Sequence, residues 1–390
     1  MTASSSEPVD PFRVTVREDE IENLRARLAN TRWPDQLPGA GWDYGANRQY
    51  IQDLCAAWRH RYDWKAFEER CNAFDQYETV VDGERIHFYH VQSPEPDARP
   101  LLLIHGWPST VAEFFEVLGP LSNPAVYGGD PADAFHLVVP SLPGYGFSGS
   151  TRTRGVSIHR TADMFVEMMD RLGYDRFFSH GGDWGAVLTG NLGDRYPDRV
   201  DAIQMTKLIM TPPDWEDPTE GFDDTEHATY QAYQDHYATE AAYIQMNSTK
   251  PQTLGYGLND SPAGLAAWVI EKYHGWSDTN HHIDEMFSRE QLLDTLSIFW
   301  LTETINSANR MYYETLQGGE TGQAMPENVT VLTGLTRYLG ERYHIPKPWT
   351  GEIYTNVVDR TEFKTGGHFP AMEVPERFVE DVRRFFRKFR

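Results

Sequence analysis

At 390 residues, 40% of them hydrophobic, the chain is long enough for one large core with elaborations on it. Against 35 basic residues stand 58 acidic ones, and the formal charge of −23 argues against nucleic acid or an anionic membrane as a partner. Two cysteines, Cys55 and Cys71, cannot build a disulfide framework, and no apolar run reads as a secretory or spanning segment; buried free thiols and a cytoplasmic location are expected.

In chain order, residues 1–76 predict a helical, tryptophan-rich leader in which Ile21, Leu24 and Leu28 form one amphipathic stripe. Asp82-Gly83 between two β-prone runs signals a hairpin, and an α/β core is expected over residues 77–206. Residues 100–104 are apolar, too short for a helix and cut off by His105-Gly106-Trp107-Pro108, which predicts a buried strand ending in a tight turn. The glycine-rich stretch 144–149 lacks the strand-to-helix context of a dinucleotide site and reads as a loop at the edge of an active site. Residues 176–178 predict a short strand, and a helix opens at 186–188 to close near Tyr196-Pro197. A mainly helical insertion is expected over residues 207–325, hinged at the proline- and acid-rich stretch 211–218, before the core resumes over 326–390. There, residues 329–334 and 353–358 predict strands, and a helix from Pro375 should carry Phe378, Val382, Phe385 and Phe389 on one face.

The most informative segment is Ser179-His180-Gly181-Gly182-Asp183-Trp184-Gly185-Ala186. It has the small-residue crowding of the nucleophile elbow of an α/β-hydrolase, with aspartate where serine usually stands. Gly181 and Gly185 let such a turn tighten without a Cβ clash. A carboxylate attacks amides and esters poorly, but it can displace a leaving group from saturated carbon and form an alkyl-enzyme ester, which points to epoxides or alkyl halides. Taken alone, the segment is better explained by an aspartate that merely caps a helix. The rest of the chain favours the elbow. The turn after residues 100–104 would supply one backbone N–H of an oxyanion hole at Trp107, and the residue after the nucleophile the other at Trp184. Glu341 follows one predicted strand, and His368 stands on Thr365-Gly366-Gly367-His368 before the last helix. The order Asp183, Glu341, His368 is nucleophile, acid, histidine, as in α/β-hydrolases.

With these residues in place, the chain resembles an epoxide hydrolase of the microsomal type nearly end to end. Pro11-Phe12-Arg13-Val14, Thr31-Arg32-Trp33-Pro34, Gly41-Trp42-Asp43-Tyr44 and Tyr62-Asp63-Trp64 resemble the leader specific to that family, and Lys250-Pro251, residues 258–266 and Arg310-Met311-Tyr312-Tyr313-Glu314 resemble its central blocks. The resemblance implies an α/β-hydrolase fold with a mainly parallel central sheet, a helical cap inserted in the core and an N-terminal helical leader. It also implies conversion of an epoxide and water to a vicinal diol without a cofactor, with Tyr243 and Tyr312 as cap tyrosines binding the epoxide oxygen and Tyr313 as the competing neighbour. Three departures stand out. The first seven residues are polar where membrane-bound members carry an anchor, so a soluble protein is expected. The acid sits in Tyr338-Leu339-Gly340-Glu341 rather than Phe-Pro-x-Glu. Ser179-His180 replaces a more apolar approach to the elbow, and His180 reads as a structural histidine.

Some bacterial members of the family serve polyketide or enediyne antibiotic pathways, and an acidic, soluble chain fits that branch; whether it forms a homo-oligomer is left open. A haloalkane dehalogenase shares Asp-Trp-Gly, with the Trp184 indole as a halide ligand, yet has no use for a tyrosine pair. A non-catalytic binding protein on the same scaffold would ordinarily have lost a triad member, and all three are present. His274, His281 and His282 fit no zinc spacing and are expected on an exposed loop. Trp268, Tyr273, Trp276, Phe299 and Trp300 are expected mostly in the core, with some lining a pocket over Asp183.

Overall fold

The computed structural model describes residues 8–278, 281–317 and 325–389. Its sheet is built from β1 (Asp10–Phe12), β2 (Gln76–Val81), β3 (Glu84–Val91), β4 (Arg99–Ile104), β5 (Phe135–Pro140), β6 (Phe177–Gly181), β7 (Val200–Met205), β8 (Leu332–Tyr338) and β9 (Val357–Phe363), in the order β1-β2-β3-β5-β4-β6-β7-β8-β9. Pairings from β1 through β3 to β5 are antiparallel, and those from β5 to β9 are parallel. Central parallel strands are covered on both faces and so read as continuous apolar runs. Leu101, Leu102, Leu103 and Ile104 of β4 are accordingly all buried. The β2–β3 hairpin turns at Asp82 and Gly83, both at positive φ (50° and 78°), the geometry whose twist matches the flanking strands.

The leader comprises α1 (Glu18–Ala29), α2 (Arg48–His60) and α3 (Trp64–Cys71), with Ile21, Leu24 and Leu28 turned inward. It is not helical throughout, because β1 pairs with β2 at the sheet edge. Pro11 in β1 has no N–H to give to a ladder, which confines such a strand to an edge. The core helices are α4 (Phe115–Ser122), α5 (Ile158–Arg171) and α6 (Trp184–Arg195). Between β7 and β8 come α7 (Asp224–Thr239), α8 (Ala242–Thr249), α9 (Pro251–Leu258), α10 (Pro262–Trp276), α11 (Ile283–Met286), α12 (Arg289–Thr302) and α13 (Ile305–Leu316). The chain then adds α14 (Lys347–Ile353), α15 (Pro370–Glu373) and α16 (Pro375–Phe386), and α16 packs on α4 across the sheet from the α5–α6 pair.

Three details differ from the sequence reading. The strands expected at 329–334 and 353–358 begin later, at Leu332 and Val357; Val329 and Tyr354 form only an isolated bridge, and Ile353 ends α14. Gly334, the last residue of the expected strand, is interior to β8, and the Phe385 ring occupies the space its Cβ would fill, 2.5 Å away. Phe389 lies beyond α16, in a 3-10 turn at Arg387–Phe389. No described helix is long and apolar enough to cross a membrane.

Candidate active site

Every residue singled out for chemistry comes to the carboxyl ends of the parallel strands or to the helices above them, the usual crevice for ligands in such sheets. β6 delivers Asp183 on a turn with φ 55° and ψ −127°, a sparsely populated conformation costing about 1–3 kcal/mol. Glycines make this turn sterically feasible. A Cβ on Gly181 would lie 2.2 Å from the Gly185 carbonyl oxygen, one on Gly185 2.1 Å from that of Ile104, and one on Gly106 2.5 Å from Asp183 Cβ. The helix-capping account of Asp183 fails, since its side chain makes no cap hydrogen bond to α6. Instead the Trp107 amide donates to Asp183 Oδ1 at 2.9 Å, and the Trp184 amide also faces the carboxylate.

β8 leads to Glu341, and the loop after β9 brings back His368, whose own amide donates to the Trp276 carbonyl at 3.0 Å. A Cβ on Gly367 would meet the Asp278 amide nitrogen at 2.5 Å, so the loop can dock against the end of α10 only with glycine there. Nδ1 of His368 lies 2.9 Å from Glu341 Oε2, and Nε2 faces Asp183 Oδ2 at 3.6 Å without a hydrogen bond. All three side chains are buried. Burial lifts Asp183 above the ordinary aspartate range, opposed by His368 and the two tryptophan amides. Burial pushes His368 down, but Glu341 and Asp183 outweigh it and hold the imidazole above its usual value. Burial likewise pushes Glu341 up, yet Lys207 and His368 together bring it to about 2.

Above Asp183, Tyr243 on α8 and Tyr312 on α13 meet edge to face with centroids 6.0 Å apart. The Trp107 indole stacks flat on Tyr243 at 5.0 Å and is itself fixed by a 2.9 Å hydrogen bond to Asn309 Oδ1. Tyr313 is 41% exposed whereas Tyr312 is 4% exposed, and Tyr312 shares the wall of one cavity with Asp183 where Tyr313 does not. A cavity of about 180 Å³ spreads from Asp183 between Ile209, Met210, Ile244, Trp276, Leu316 and Met325, with both tyrosines and His368 in its wall.

The other candidates separate from the site. His180 packs on Phe378 and lies 3.3 Å from Gln204, and burial lowers it to about 4, consistent with a structural histidine. His274 lies not on an exposed loop but on α10, half-buried where it stacks on Trp42 of the leader, while exposed His281 pairs with Glu285 and exposed His282 caps α11. Tyr273 and Phe299 are core and Trp300 is partly buried, while Trp268 touches the edge of Trp107 and Trp276 lines the cavity. Cys55 and Cys71 are buried free thiols. The 144–149 loop does not line the cavity: Gly146 N and the Gly144 carbonyl bond Thr304 and Ser307, which ties the start of α13 to the core. Sequence reasoning missed Lys207, buried beside Glu341 with 3.1 Å between Nζ and Oε1. Its one sequence signal is a cation two residues beyond the strand-like run that ends at Met205.

Residues 9–114 match the family described as "Epoxide hydrolase N terminus", and residues 99–233 match the alpha/beta hydrolase fold family. The chain is 36% identical to the "Putative epoxide hydrolase" of Stigmatella aurantiaca over 98% of its own length and 86% of that protein's. It is 30% identical to epoxide hydrolase 1 of Sus scrofa, over 98% of the chain and 89% of that relative. Among solved structures, the juvenile hormone epoxide hydrolase of the silkworm Bombyx mori superposes with a TM-score of 0.90 at 27% identity, over 100% of this chain and 96% of that one. The Aspergillus niger epoxide hydrolase gives 0.85 at 28% identity, over 100% and 98%. With its aspartate elbow, paired tyrosines and full-length likeness to these enzymes, the chain belongs to the epoxide hydrolases that join an epoxide hydrolase N terminus to an α/β-hydrolase fold.

Proposed function

We propose that this epoxide hydrolase works through an ester on Asp183. The observation that carries the reading is the division of labour between the carboxylate oxygens: Oδ1 is held by the Trp107 amide, while Oδ2 faces Nε2 of His368. Oδ2 attacks one epoxide carbon in line, the ring C–O bond breaks, and its electron pair goes to the oxygen, where Tyr243 and Tyr312 donate as charge develops. Burial keeps both tyrosines far above the usual phenol range, so they stand as neutral donors. Ester formation consumes the Asp183 charge that had been raising His368. Loss of that charge lowers the proton affinity of the imidazole before the step in which it acts as a base. Nε2 takes a proton from water, hydroxide adds to the Asp183 carbonyl carbon, and the oxyanion forms on Oδ1 between the Trp107 and Trp184 amides. Collapse breaks the bond between the carbonyl carbon and Oδ2: the leaving oxygen takes the proton held by His368, the ring-derived alkoxide takes the second water proton from the new carboxyl group, and a vicinal diol departs from a restored Asp183 carboxylate.

The cavity bears on substrate size. An apolar protein cavity of roughly 150 Å³ accommodates benzene, so about 180 Å³ lined by aromatic and aliphatic side chains suits a monocyclic aryl or short alkyl epoxide. The tyrosine pair over the nucleophile disfavours dehalogenation, which needs no alkoxide donor. In the same reading residues 207–325 act as a cap over the core formed by 77–206 and 326–390, and residues 1–76 as a leader that steadies that cap.

The test is His368→Gln mixed with styrene oxide. Intact-protein mass spectrometry should show an adduct of the substrate's mass, mapping to the peptide that contains Asp183. No adduct with an epoxide that the wild type turns over would favour direct attack of His-activated water on the epoxide and reassign Asp183.

A further inference from the structure

Lys207 follows β7 by two residues and touches two of the three members of the triad. Its carbonyl accepts the Asp183 amide at 3.0 Å, and its ammonium lies 3.1 Å from Glu341 Oε1. The same Nζ donates to the Tyr343 carbonyl at 3.1 Å and sits 3.4 Å from the centre of the Tyr343 ring. Glu341 is thus shared, with Oε2 on His368 and Oε1 on Lys207 and on the Arg342 amide at 3.2 Å. A buried ion pair seldom repays its desolvation in stability, and apolar replacements of similar volume are often neutral or better. The value of this lysine therefore lies in what it does to the carboxylate.

Resting on the two-step reading above, we propose that Lys207 is a positioning residue for ester hydrolysis, clamping the carboxylate that orients His368 and taking up part of its negative charge. Glu341 stands in a Tyr-Leu-Gly-Glu loop without a proline to stiffen it, and Lys207 supplies the second anchor for that side chain. A carboxylate divided between two cationic partners stabilises the imidazolium less, and Lys207 also repels a positive His368 directly. His368 is further faced by Asp183, Glu113 and Glu373, and Lys207 by Asp183, Tyr343, His236 and His344. Of these, only Asp183 loses its charge when the ester forms, so in the intermediate Glu341, in direct contact, and Lys207 behind it are the nearest charges to the imidazole.

The experiment is the pH dependence of ester decay in single turnover with styrene oxide, followed by quenched mass spectrometry, for wild type, Lys207→Met, Lys207→Gln and Lys207→Arg. The decay rate should rise with pH as His368 loses its proton. Both neutral variants should still form the ester, and their rising limb should move up by about one pH unit, so that ester accumulates at pH 7. Lys207→Arg should keep the wild-type limb. A rate lowered equally at all pH values in the neutral variants would overturn the proposal, as would loss of folding in both, because either leaves Lys207 a structural residue. The supporting reading fails separately, if His368→Gln traps no ester at all; ester trapped with an unmoved limb sinks Lys207 alone.

Discussion

At the scale of single residues, the site depends on a few atoms held where nothing else fits. In the proposed mechanism Tyr243 and Tyr312 each give one donor to the developing alkoxide, and deletion of such a donor costs about 2–4 kcal/mol. Tyr243→Phe and Tyr312→Phe should each slow single-turnover alkylation by roughly 30- to 1,000-fold. Tyr313→Phe, one position along and turned to solvent, should stay within twofold of wild type. Alkylation unchanged in both buried variants would move the donor role elsewhere. Gly185 belongs to the same scale: its missing Cβ would sit 2.1 Å from a backbone oxygen of β4 that cannot retreat without breaking the sheet. Gly185→Ala should yield little folded protein, measured as soluble yield and circular dichroism, whereas Asp183→Ala should fold and form no diol.

At the scale of elements, the leader is bound to the cap as well as to the sheet. Trp58 on α2 donates its indole N–H to Ser297 at 2.9 Å, and Tyr62 and Arg70 converge on Asp294 of α12, with Arg70 contributing two bonds of 2.6 and 2.7 Å. Asp294 is buried, and burial lifts its carboxyl, opposed by Arg70 and Tyr62. Asp294→Ala removes the acceptor for three bonds, although Arg70 keeps access to water. It should cost about 2 kcal/mol in urea unfolding, below the usual penalty for a fully buried broken pair. Because α12 leads directly into α13 and Tyr312, KM for a bulky epoxide should rise with it. A full loss of stability with unchanged KM would show that the leader braces the fold and leaves the cap unaffected.

At the scale of the molecule, buried titratable groups set the pH dependence of stability. Burial pushes Glu373 from 4.5 to about 8 and Glu113 to about 7. A raised carboxyl binds its proton in the native state before the unfolded one does, so this contribution is full below 4.5 and is lost as pH climbs toward 7 and 8. Five histidines work in the opposite sense: burial depresses His87 and His236 to about 3 and His105, His180 and His344 to about 4, against an ordinary 6.5. Their contribution grows as pH rises from about 3 to 6.5 and is then complete. Below 6.5 the five histidines outweigh the two glutamates, and above it the glutamates, joined by the raised imidazole of His368, change in the falling direction. Stability should peak near pH 6.5 and decline toward pH 8, and Glu373→Gln should flatten that decline; an equally steep fall in the variant would exclude Glu373 as its source. By itself the sequence determined the enzyme class and the fold class, because the glycines around Asp183, the apolar strand before Trp107 and the Gly-Gly before His368 are local signals whose cause lies within a few residues. It also placed Tyr243 and Tyr312 through resemblance. Only the tertiary structure decided which of Tyr312 and Tyr313 shares a cavity wall with Asp183, where β8 and β9 begin, that residues 10–12 join the sheet, and that Lys207 grips Glu341. Each of these depends on a partner distant in sequence: a ring filling the space beside Gly334, an edge strand finding β2, and a carboxylate more than a hundred residues away that brings a cation into the core.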